Sequence, residues 1–215
     1  MIVSHGRKYI FVHIPKTGGT ALTLALESRA MKDDILISDT PKARKRGRRL
    51  NGVRTAGRLW KHSTLADIDG LVSGPDLEEM FVFTLVRNPW DRMVSYYHWL
   101  RMQDFEHPAV DLARRLEFGD FLSHAHTRAA VRGSPYGHYV RDAGGRERAD
   151  LFIRLEQMEA DLAPLEAHLG FRLDDVPHAN ASERRSNHRP YYTENTKKLV
   201  SELCETDIAR FGYVF

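Results

Sequence analysis

Apolar positions in this chain gather into short runs divided by polar and glycine-rich stretches. Tyr9-Ile10-Phe11-Val12-His13-Ile14 is β-branched and aromatic and predicts a buried strand. Pro15-Lys16-Thr17-Gly18-Gly19-Thr20 follows, then Ala21 to Glu27, rich in the good helix formers Ala and Leu. The order is strand, glycine-rich turn, helix. Ile35 to Ser38 predicts a short strand, and His62 to Ile68 a helix start with Ser63 as its cap. Met80 to Val86 is a near-continuous apolar run, the pattern of a strand covered on both faces in a parallel sheet. Asn88-Pro89-Trp90-Asp91 then opens a helix, with Asn88 as cap and Pro89 at the first helical position. Trp90, Met93, Val94, Tyr97 and Leu100 recur at helical spacing and predict its core face. Helices are further predicted at 109–118, 120–127, 158–169 and 193–210, a strand at 151–155, and a polar loop at 177–190. Strands alternating with helices predict the α/β class with a central parallel sheet flanked by helices.

The chain's 215 residues suit a single domain, taken as 1–215, and suffice to bury a core. Cys204 is the one cysteine, so an intrachain disulfide and a Cys-rich zinc module are excluded. The apolar runs fall far below the roughly 20 residues of a membrane span, and Met1 to Lys8 lacks the apolar stretch of a secretory signal. A soluble intracellular protein without a membrane span is expected.

Charge changes the picture locally. The chain has 32 Lys and Arg against 29 Asp and Glu. Nine of the basic residues lie between Pro41 and Lys61, a stretch with no acid, leaving 23 basic against 29 acidic residues elsewhere. This basic loop at about 41–61 suggests an anionic partner. It lacks interleaved aromatics apart from Trp60, and no nucleic-acid-binding module is recognisable, so nucleic acid is not the expected partner.

Two stretches carry anion chemistry. In Pro15 to Thr20 the glycines let backbone close around an anion, and the N–H groups and dipole of the following helix favour negative charge. Lys16 adds a point charge, and Thr17 and Thr20 add hydroxyls. The lysine precedes the glycines, which is not the order of an ATP- or GTP-hydrolysing phosphate loop. The second stretch places Arg87 at the carboxyl end of a predicted strand, where α/β proteins bind ligands, with Ser95 eight residues on. A guanidinium fork and a hydroxyl suit a phosphate monoester. A plainer reading pairs Arg87 with Asp91.

Together these motifs resemble the sulfotransferases that use 3′-phosphoadenosine 5′-phosphosulfate (PAPS). Pro-Lys-Thr-Gly-Gly-Thr at 15–20 is similar to that family's 5′-phosphosulfate loop, and Val86 to Tyr97 to its 3′-phosphate motif. The similarity is greatest to the branch containing bacterial, heparan sulfate 2-O- and chondroitin-type carbohydrate enzymes. Lys61 to Thr64, Ile153 to Glu156, His178 to Ser182, Tyr191-Tyr192 and Phe211 to Tyr213 also resemble that branch. The resemblance implies a fold like that of the P-loop NTPases. It places Lys16, Thr17, Gly18, Gly19 and Thr20 at the 5′-phosphosulfate and Arg87 and Ser95 at the 3′-phosphate. Arg184 and Arg185 are the candidates for a second basic loop over the 3′-phosphate. It also implies no required metal and, because the chain starts almost directly with its first strand, a cytoplasmic protein.

Sulfuryl transfer needs a base at the acceptor, charge stabilisation on the leaving phosphate, and alignment. Lys16 fits the leaving group. His62 fits the base, at the place of the catalytic histidine in the related carbohydrate enzymes, and an unperturbed histidine near pH 6.5 is suitably poised. The expected reaction is in-line transfer to a hydroxyl or amine of a small-molecule or saccharide acceptor, which the basic loop would favour if anionic. A nucleotide kinase or NTPase with an atypical phosphate loop, and a non-enzymatic anion or nucleic-acid binder, are the alternatives. His124 and His126 form an H-x-H pair but have no evident third metal ligand.

Overall fold

The computed structural model describes residues 1–173 and 187–215. The first half of the chain forms β1 (Ile2–Ser4), β2 (Tyr9–Val12), α1 (Gly19–Ser28), β3 (Ile35–Leu36), α2 (Pro41–Arg46), α3 (Gly74–Glu78) and β4 (Phe81–Val86). Then come α4 (Pro89–Arg101), α5 (Pro108–Arg115), α6 (Phe118–Ser123), α7 (Ala125–Arg132), α8 (Tyr136–Tyr139) and β5 (Leu151–Arg154). Helices α9 (Met158–Asp161), α10 (Ala163–Leu169), α11 (Glu194–Leu203) and α12 (Glu205–Phe211) complete the chain. The described residues fall into two compact units, 1–86 with 136–173, and 87–135 with 187–215.

The first unit holds the sheet, in the order β3-β1-β2-β4-β5. Strands β2, β4 and β5 are parallel, as the sequence predicts. Strands β1 and β3 extend the sheet antiparallel, so the whole sheet is mixed. The three-residue β1 is too short to show a period, which is why the pattern along the chain does not reveal it. It pairs Ile2 with Phe11 and Ser4 with Tyr9 through a tight turn in which Lys8 adopts φ 51°.

Both faces of the sheet are apolar, which explains the unbroken runs in β2 and β4. Tyr9, Phe11, Phe83, Leu85 and Ile153 pack with Leu22 and Leu26 of α1 and Leu165 and Leu169 of α10. Ile10, Val12 and Val82 pack on the other face with Ile37, Leu65, Ile68 and Val140. Each fully buried residue of this kind contributes roughly 1.5–3 kcal/mol. Thr84 of β4 donates its hydroxyl to Val12 O at 2.7 Å and so pins the end of β2.

The basic stretch is not a loop throughout. Thr40 caps α2 by accepting from Ala43 N at 3.1 Å, Pro41 lies at the helix start, and Ala43 is buried. The buried carboxylate of Glu27 accepts from Ser38 Oγ (2.8 Å) and Thr40 Oγ1 (2.6 Å). Lys42 donates to Glu27 O, Arg46 to Met31 O, and Arg49 to Lys32 O, while Lys61 pairs with Asp39. Four cations therefore fasten the stretch to carbonyls in the last turn of α1 and just after it, and to Asp39. Arg44, Lys45, Arg48, Arg54 and Arg58 are exposed, and their side chains make no hydrogen bond or ion pair among the described residues.

The second unit is built on α4. Asn88 caps it by accepting from Trp90 N at 3.1 Å. Trp90, Met93, Val94, Tyr97 and Leu100 are all buried as the spacing predicts, against Val110, Ala113, Phe121 and Val200. Trp90 Nε1 donates to Lys197 O, and Tyr192 OH to Trp90 O. The closing helix predicted at 193–210 is two helices, divided at Cys204, whose thiol burial pushes up to about 11. The helix predicted at 158–169 likewise divides, because Pro164 supplies no N–H to continue it. His124 Nδ1 accepts from His126 N at 3.2 Å and caps α7, so the H-x-H pair is a helix start. Among the described residues no group of His, Cys, Asp and Glu is placed to hold a metal ion, and no helix is long and apolar enough to cross a membrane.

Candidate active site

The turn between β2 and α1 is shaped by backbone that few residues adopt. Lys16 has φ 66° and Gly18 φ 84°. For lysine the left-handed region costs roughly 1–2 kcal/mol, and such strain concentrates at functional sites. The first turn of α1 has no side-chain cap and no acidic residue, so nothing within α1 offsets the positive end of its dipole. A 5′-phosphosulfate fits this arrangement.

The members of the turn divide their work. Thr17 is fully buried and donates its hydroxyl to Ile14 O at 2.9 Å, so this side chain closes the turn. Thr20 is half-buried in the first turn of α1. A Cβ on Gly18 would stand 2.6 Å from Leu155 Cδ1, so the Ile-Arg-Leu-Glu stretch at 153–156 seats the turn. Arg154 beside it is fixed by a fork to Asp161. A Cβ on Gly19 would stand 2.3 Å from His13 Cδ2 and 2.5 Å from its Nε2. Gly19→Ala is therefore expected to displace His13 or the start of α1, costing about 1–3 kcal/mol of stability and most of the activity. Thermal melts and turnover measurements on the variant check this.

His62 lies in the same unit. Residues 60–68 form turns rather than the predicted helix, and Ser63 is a latch, donating to Arg58 O (2.8 Å) and accepting from Trp60 N (2.9 Å). Thr64 and Asp67 cap one another's N–H groups without a helix between them. The latch presents His62 to the end of β2. Its Nδ1 lies 2.8 Å from His13 O, a contact that requires Nδ1 to carry the proton. Nε2 is then the basic nitrogen.

His62 is not the unperturbed histidine the sequence suggests. Burial lowers its pKa to about 4, opposed by the hydrogen bond to His13 O. Burial also holds His13 well below the ordinary histidine range. The consequence for stability has a definite sign. Above pH 6.5 both rings are neutral whether the chain is folded or unfolded. Below it the unfolded chain takes up protons first, so stability falls as the pH drops from 6.5 to 4. The His62 shift corresponds to about 3 kcal/mol. This window lies above the range where Asp39 and Asp161, whose pKa values are lowered by Lys61 and Arg154, lose their own contribution. Melting temperatures between pH 7 and pH 4.5 should fall for the wild type and less steeply for His62→Gln.

The other motif lies in the second unit. Arg87 follows directly on β4 and is nearly buried, at 12% side-chain exposure. Its Nε and Nη2 both donate to Asp91 Oδ2, at 2.9 and 2.6 Å. The plainer pairing with Asp91 is thus realised, and it fixes the plane of the guanidinium. Ser95 is buried on α4, two turns further on. Arg184 and Arg185 lie outside the described residues, as does the stretch 178–182. His13, which the sequence does not single out, stands at the strand end immediately before the turn, and its carbonyl takes the His62 hydrogen bond.

The protein is thus of the α/β class, with a strained glycine-rich turn at the carboxyl end of a parallel strand opening an uncapped helix. The family model described as the sulfotransferase family matches residues 1–214, and the chain belongs to that family. No curated protein matches it. The crystal structure of mouse sulfotransferase SULT7A1 complexed with PAP is 19% identical, with a TM-score of 0.46 over 92% of this chain and 82% of that one.

Proposed function

We propose that the protein transfers a sulfuryl group from PAPS to a hydroxyl or amine, with His62 as the base and Lys16 at the leaving group. The observation that carries this reading is the hydrogen bond from His62 Nδ1 to His13 O, which makes Nε2 the proton acceptor in the unit that also holds the anion turn. When bound, the donor supplies the sulfuryl group. Lys16 to Thr20 would hold its 5′-phosphosulfate, and Arg87 and Ser95 its 3′-phosphate.

The low pKa of His62 keeps Nε2 unprotonated throughout the physiological range, although it also makes the ring a weaker base than an ordinary histidine. Lys16 would offset charge as it builds on the leaving phosphate, a term that grows toward the transition state. The backbone N–H groups at the start of α1 act in the same sense. The lysine-before-glycine order speaks against a kinase or NTPase.

Calorimetric titration with 3′-phosphoadenosine 5′-phosphate (PAP), with ADP as control, tests the donor. Selective binding of the 3′-phosphorylated nucleotide is expected, and equal binding of ADP would remove the assignment. The five exposed cations at 44–58 favour an anionic acceptor, and an acidic saccharide is the proposed class. Turnover of carboxylated against neutral sugars, at low and high salt, decides this, because attraction to an exposed basic patch is screened by salt.

A further inference from the structure

His62 is held from three directions. Its Nδ1 rests on His13 O at 2.8 Å. Trp60 stands edge-on to it at 5.0 Å and 87°, and the His13 ring does so at 4.8 Å and 71°. Trp60 is 45% exposed, whereas His13 is only 6% exposed, so His13 is the rigid wall of the two.

The His13 side chain is expensive to keep. Its Nδ1 is buried and has no hydrogen-bond partner among the described residues. An unpaired buried nitrogen carries a desolvation cost that a valine or leucine at this strand end would avoid. The reaction as proposed uses only the His13 carbonyl, so the imidazole is unexplained by it. Yet this ring also reaches the glycine-rich turn, its Cδ2–Nε2 edge filling the space beside Gly19.

We propose that the His13 side chain is a positioning residue, a neutral aromatic wedge that fixes the rotation of His62 about its Nδ1···O bond and ties that orientation to the start of α1. The inference rests on the reading of His62 as the base. One hydrogen bond leaves the imidazole able to swing about its axis. Ring walls on two sides remove that freedom, and a base misplaced by about 1 Å can cost on the order of a hundredfold in rate. Neutrality follows from the surroundings. Burial is the main cause, and the Lys61 and Lys16 ammonium groups would repel a proton on His13; the His62 ring and the Met1 amino group, whose pKa burial lowers to about 5, also face it. His62 faces His13, Lys61, Asp39 and the same amino group.

Two variants of the full chain separate the wedge from a role for the His13 nitrogens. His13→Phe keeps an aromatic ring and removes both nitrogens. His13→Asn keeps polarity and removes the ring. Both are first checked for folding by thermal melts and PAP titration. His13→Phe is expected to keep kcat within about threefold, with the His62 imidazole still titrating near pH 4 by ¹⁵N NMR. His13→Asn is expected to lose kcat by about 10–100-fold, with the His62 midpoint rising by about one pH unit or more as water reaches it. Wild-type kcat in His13→Asn, or a folded His13→Phe as impaired as His13→Asn, overturns the proposal. If His62→Asn retains activity, the base assignment falls on its own, while the NMR comparison still decides whether His13 holds the His62 ring.

Discussion

Replacing His62 by asparagine is expected to lower kcat by about 10²–10⁴-fold, the usual contribution of a positioned general base. That range corresponds to about 2.7–5.5 kcal/mol of activation free energy. The choice of asparagine is deliberate. Its amide can still donate to His13 O, so the link across 49 residues of sequence survives while the basic nitrogen is lost. The Arg58–Ser63 latch does not involve the His62 side chain and should be unaffected. Affinity for PAP is therefore expected to change by less than about threefold, and kcat and kcat/KM should fall together, the signature of a group acting only in the transition state. Single-turnover and steady-state assays check both. A variant that keeps wild-type kcat would remove His62 from the chemistry. The wild-type acid limb of kcat/KM belongs near pH 4, because burial has moved the free enzyme's base there.

Arg87→Ala is expected to weaken PAP binding by about 10–100-fold while leaving ADP within about threefold, since a charge-assisted hydrogen bond is worth roughly 1.5–3 kcal/mol. The pairing with Asp91 strengthens this expectation. Two donors of the guanidinium are committed to one carboxylate oxygen, so the fork is held in place before any ligand arrives. The same geometry predicts that lysine will not rescue the loss, because an ammonium cannot hold the two-donor contact with Asp91. Calorimetry on wild type, Arg87→Ala and Arg87→Lys checks the pattern. Parallel losses for PAP and ADP would place Arg87 elsewhere than at a 3′-phosphate, and unchanged PAP affinity would remove it from the donor site.

The basic stretch shows how charge density alone misleads. Nine cations without an acid read as one basic loop open to an anionic partner. In the structure Lys42, Arg46, Arg49 and Lys61 are bound to carbonyls and to Asp39, all in residues 27–39. No local pattern marks these four apart from the other five, because their partners come from α1 and the turns after it. The exposed cations available to an acceptor are therefore about half of what composition suggests.

Local rules were enough for much of this protein. The glycines of the turn, the asparagine–proline start of α4 and the apolar runs of β2 and β4 are legible because each depends on a residue's own conformational freedom or on a short repeat. The family likeness is legible for the same reason, since its motifs are contiguous. Tertiary structure alone decided the rest. It added β1, too short to carry a period, and paired it antiparallel with β2 and with the predicted strand β3. It divided two predicted helices at Cys204 and near Pro164. It turned Ser63 from a helix cap into a latch, and it set His62 on His13 O with a pKa near 4. The break near Pro164 and the Ser63 latch are local, but contact between residues far apart in sequence places β1 and joins His62 to His13, and burial sets the His62 pKa; neither is written into the spacing of residues along the chain.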